Sequence, residues 1–164
     1  MKKLALLFCL LMLSTKLSYA ETSTMTGIVQ SKCSIWTEVN GTYGNSLSTR
    51  LDTTPSSGGV KGNVRVDVLQ AAAYKVRFTA PVSWSSAPPL SEAGTWTSSV
   101  VVGAVSQSGM SSYEGAKVVY NNNTEFGLTL AGSTNFVLNS AFNYSKALPA
   151  GNYTSVWTVT CIAT

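Results

Sequence analysis

An all-β sandwich is the fold class this sequence predicts, on three observations. Apolar and polar residues alternate with period two in several short segments. Clusters of Gly, Pro, Asn and Ser punctuate those segments. Two cysteines, Cys33 and Cys161, bracket the patterned region in a chain that is only 11% charged.

The elements follow in order. Before any strand comes Lys2-Lys3, an apolar run from Leu4 to Leu13, and the small-residue exit Ser18-Tyr19-Ala20. A charged start, an apolar stretch too short to span a bilayer and an A-x-A-like exit predict a signal peptide over residues 1–20. A single domain over residues 21–164 is then expected. Lys2, Lys3 and Lys16 leave with the signal, so eight basic residues face seven acidic ones in the remaining 144. A net charge of +1 gives no reason to expect a nucleic-acid partner.

Val64, Val66 and Val68 alternate with Arg65 and Asp67, and Tyr74, Val76 and Phe78 alternate with Lys75, Arg77 and Thr79. Each set places its apolar members on one face of a strand. Residues 95–102 end in Val100-Val101-Val102 and read as a strand buried on both faces. Further strands are expected over 116–120, 126–130, 135–142 and 153–162. Residues 69–73, with three alanines, are the one candidate for a helical turn. Several short strands spaced by turns predict one sandwich domain.

An exported chain with two remaining cysteines usually pairs them, so a Cys33–Cys161 disulfide is expected. The long loop it closes allows up to about 5 kcal/mol of stabilisation by chain entropy. Two free thiols packed as small apolar residues are the alternative.

Catalytic motifs are scarce. There is no histidine to serve a nucleophilic Ser or Cys. No phosphate-binding or dinucleotide fingerprint occurs, and no cofactor is expected. A carboxylate pair would need two acids to converge across a cleft; Glu114 and Glu125 are the candidates because they flank an expected strand. Trp84, among Ser and Pro residues, and Tyr113 are candidates for a sugar-stacking platform, with core packing as the simpler reading of each aromatic. Four Asn-x-Ser/Thr sequons begin at Asn40, Asn122, Asn143 and Asn152. They read as chance in an Asn-, Ser- and Thr-rich chain with a bacterial-type signal.

Three stretches resemble subunits of chaperone–usher fimbriae and the related spore-coat-protein-U-like domains. Residues 25–35, MTGIVQSKCSI, look like the family's opening strand. Residues 62–68, GNVRVDV, followed by YKV at 74–76, resemble the next strand pair. Residues 148–159, LPAGNYTSVWTV, look like its last strand. The resemblance implies an immunoglobulin-like, pilin-type sandwich that lacks its final strand, and a structural or adhesive subunit of a surface fibre (pilus or fimbria). Its partners would be other subunits, a periplasmic chaperone and an usher, with a host or surface glycan as a ligand for adhesion. The chain would pass through the periplasm to the cell surface.

Under that resemblance Val156, Trp157, Val159, Cys161 and Ala163 form the strand-exchange edge. Ser23, Met25, Gly27 and Val29 form a donor segment that completes another copy. The family's second cysteine commonly lies in the strand after the first; here that strand carries Val66, Asp67 and Val68, and the partner is Cys161. A self-complete secreted module that binds carbohydrate is the alternative function.

Overall fold

The computed structural model describes residues 32–164. The expected signal peptide and donor segment, including Ser23, Met25, Gly27 and Val29, lie outside the described residues. Ten strands and one short α-helix follow: β1 Cys33–Val39, β2 Gly44–Leu47, β3 Arg50–Asp52, β4 Gly62–Val68, β5 Tyr74–Thr79, β6 Thr95–Val105, α1 Tyr113–Ala116, β7 Val118–Tyr120, β8 Asn123–Leu128, β9 Gly132–Asn143 and β10 Thr158–Ala163. They form an all-β sandwich of two antiparallel sheets.

The larger sheet is organised by β9. β6 runs along one edge of it, from Thr95 opposite Asn143 to Val105 opposite Thr134. A strand has only two edges, so β4 and β3 share the other. β4 pairs with the first half, Val68 opposite Gly132, and β3 with the end, Arg50 opposite Asn143. β1 then extends β4, and β2 extends β3. The smaller sheet has the order β10-β5-β8-β7.

Alternation places the core where the two sheets face. Val64, Val66 and Val68 from β4 meet Val76 and Phe78 from β5, Phe126 and Leu128 from β8, and Phe136 and Leu138 from β9. Phe78, Phe126 and Phe136 are fully buried and in mutual ring contact, with centroids 4.7–5.9 Å apart. Each such ring contributes about 2–3 kcal/mol by burial alone. A second aromatic cluster forms around Trp84, whose ring centroid lies 5.3 Å from Tyr43, 4.5 Å from Trp96, 5.0 Å from Phe142 and 5.1 Å from Tyr153.

Several expectations are corrected. Residues 95–102 belong to a strand at the margin of its sheet, with Val101 40% exposed, so burial on both faces is not seen. Residues 69–73 form turns rather than a helix, with Ala72 in the left-handed region at φ 56°. The expected strand over 116–120 starts only at Val118, because α1 occupies the preceding residues. The last strand is shorter than 153–162 and begins at Thr158.

Candidate strand-acceptor groove

β1 closes one side of the larger sheet and β10 the same side of the smaller one, so two strand margins lie beside each other. Cys33, the first residue of β1, and Cys161 in β10 are joined by a disulfide across the sheets, with Cα atoms 6.3 Å apart. From that bond the strands diverge, and a groove of about 660 Å³ opens between them. One wall is Thr37 with residues 39–43, and the other is residues 151–157 with Val159. Val64 of β4 and Leu138 of β9 supply an apolar floor.

The second wall keeps a strand-like alternation before β10 begins. Tyr153, Ser155, Trp157, Val159 and Cys161 are half-buried, whereas Thr154, Val156, Thr158 and Thr160 are exposed. Residues 153–157 nonetheless lie outside both sheets, and an isolated bridge ties Thr154 to Ser86 in the loop between β5 and β6. Of the expected edge residues, Trp157, Val159 and Cys161 therefore share the inward side. Val156, 59% exposed, faces the other way, and Ala163 lies exposed at the end of β10.

Tyr43 pins the far end. Its hydroxyl lies 2.7 Å from both Ser140 Oγ on β9 and Ser155 Oγ on the second wall. The groove is thus held by a covalent link at one end and a hydrogen-bonded one at the other.

The opposite side of the sandwich is treated differently. Glu114 Oε2 on α1 accepts a hydrogen bond from the Val102 N–H of β6 at 2.9 Å. Lys117 Nζ donates to the Val100 carbonyl at 3.2 Å and also pairs with Glu114. Side chains thereby occupy backbone groups that would otherwise template another strand. Burial pushes the Glu114 carboxyl up, but Lys117 and the Val102 N–H outweigh it and hold the carboxyl below its ordinary range. Among the described residues, no side chain bonds the open backbone edge of β1 or of β10. Ile35, Trp36 and Val39 on β1 are 36–54% exposed there.

Each of the two carboxylate candidates is bound by donors of its own. Glu114 is engaged as described, and Glu125 on β8 accepts from Arg77 Nε at 2.6 Å, Tyr120 Oη at 2.7 Å and Lys75 Nζ at 2.9 Å. The Tyr120 hydroxyl and the two cations lower the Glu125 carboxyl from 4.5 to about 2. A general acid needs the opposite shift. Of the expected sugar-platform residues, Tyr113 is a core residue whose hydroxyl accepts from the Leu130 N–H at 2.9 Å. Trp84 does sit on a loop, but its ring is engaged with four aromatic neighbours. Among the described residues no helix is long and apolar enough to cross a membrane.

The capped margin escaped sequence reasoning, although a signal existed. Glu114 and Lys117 stand at i,i+3 just before Val118, and such a pair on a short helix can serve two adjacent backbone groups. No family model, curated protein or solved structure matches the chain.

Proposed function

We propose that this chain is a structural or adhesive subunit of a surface fibre, assembled when a strand from another copy enters the groove between β1 and β10. One observation carries the reading: the fold caps the margin at β6 with Glu114 and Lys117 and leaves the margin at β1 and β10 uncapped among the described residues. An entering strand would gain main-chain hydrogen bonds along both edges and place alternate side chains over Val64, Leu138 and Val159. Residues 21–30, with Ser23, Met25, Gly27 and Val29, are the donor in this reading. A periplasmic chaperone shields the groove until an usher brings the next subunit. Export through residues 1–20 precedes both steps, and no catalytic step is involved.

Expression of the full precursor with and without a periplasmic pilus chaperone tests the proposal. The expected result is oligomers that resist detergent, dissociate on boiling and form only with the chaperone. A stable monomer that accumulates alone and unfolds in two states would overturn it.

A further inference from the structure

A second cleft, of about 570 Å³, lies where the β7–β8 turn approaches β6. Its size suits a small organic ligand. Trp96 of β6 and Trp157 supply indoles, Ser98 a hydroxyl, and the turn Asn121, Asn122 and Asn123 three amides. Asn121 adopts the left-handed conformation, φ 51°, that this tight hairpin requires.

The polar groups are only partly used. Asn122 Nδ2 donates to the Ala80 carbonyl at 3.0 Å, which leaves its own carbonyl oxygen. Asn123 Oδ1 accepts from the Thr79 hydroxyl at 2.7 Å, which leaves its amide hydrogens. Ser98 Oγ is buried and has no hydrogen-bond partner among the described residues. A buried hydroxyl in that state is costly unless something in the cleft completes it.

We propose that this cleft binds a neutral saccharide of one or two pyranose rings. Sugar hydroxyls both donate and accept, so one ring can meet a free amide carbonyl, a free amide N–H and a hydroxyl together. The C–H face of a pyranose packs on an indole; Trp157 lines the cleft, and Trp96 lines it with a ring that also contacts Trp84 and Phe142. Among the described residues no charged side chain lines the cleft. A carboxylate, sulfate or phosphate on the ligand would lose hydration without gaining a counter-charge. Its polar groups come from β6 and the β7–β8 turn, whereas Trp157 is shared with the wall of the groove between β1 and β10.

Indole N–H resonances of the purified chain, followed by NMR while neutral disaccharides are titrated to about 10 mM, test the proposal in the range where a weak ligand saturates. A sialylated trisaccharide serves as the acidic comparison. The expected result is a saturable shift of the Trp96 and Trp157 resonances with at least one neutral sugar and weaker binding of the acidic one. Ser98→Ala and Asn121→Gly should each weaken binding roughly fivefold, the effect of losing one hydrogen bond. Glycine keeps the left-handed turn while removing the amide, so folding and binding can be separated by the melting temperature of each variant. No shift with any neutral sugar, tighter binding of the acidic sugar, or unchanged affinity in both variants that remain folded would overturn the assignment.

Discussion

Cys33 and Cys161 join the margin of one sheet to the margin of the other, at the end of the groove rather than across its middle. The bond therefore fixes where β1 and β10 separate, and the walls stay apart until Tyr43 meets Ser155 at the far end. Replacing both cysteines by serine releases a loop of 128 residues in sequence separation and should cost about 2–5 kcal/mol. Urea unfolding of the oxidised protein and the double variant measures this directly.

Tyr43 provides the second fastening. Tyr43→Phe keeps the ring against Trp84 but removes hydrogen bonds to Ser140 and Ser155. Ser140 is buried, so the loss should cost about 1–3 kcal/mol. Ser155→Ala, on the half-buried wall, should cost less. Thermal unfolding of the two variants supplies the comparison.

Glu125 should make the protein acid-sensitive. Its carboxyl titrates near 2 in the folded state against an ordinary 4.5, so the folded state binds fewer protons than the unfolded state between those values. The stability this provides is present above about pH 4.5 and is lost as pH falls towards 2. Glu125→Gln should flatten that part of the stability–pH curve, measured by denaturant midpoint, while the parent curve falls steeply.

Glu114→Ala should expose the margin that α1 protects. The Val102 N–H loses its acceptor, and Lys117 loses the partner that positions it against the Val100 carbonyl. The expected outcome is concentration-dependent association of the variant by sedimentation velocity, under conditions where the parent chain does not associate through β6.

Much of the sandwich was legible because alternation and burial coincide. In β4 every valine is buried and every intervening side chain is not, and β5 repeats the pattern at Val76 and Phe78. The cysteine pair was legible from its count and from the signal peptide expected over residues 1–20. β2 and β3 were not, since four and three residues offer too little periodicity. The sharing of one edge of β9 by β4 and β3 is a long-range pairing that no local pattern encodes. Trp84 shows the same limit within a site. Its Ser- and Pro-rich neighbours indicate a loop, but only the tertiary fold brings Tyr43, Trp96, Phe142 and Tyr153 around its ring.

The central claim is that the groove between β1 and β10 receives a strand. Amide hydrogen exchange, compared between the monomer and chaperone-dependent oligomers, tests it at the backbone level. The account predicts new protection over residues 35–42 and 155–161 in the oligomer, with β6 unchanged at Val100 and Val102. Protection that appears at β6 and β7 instead, or oligomers with no gain at β1 and β10, would contradict it.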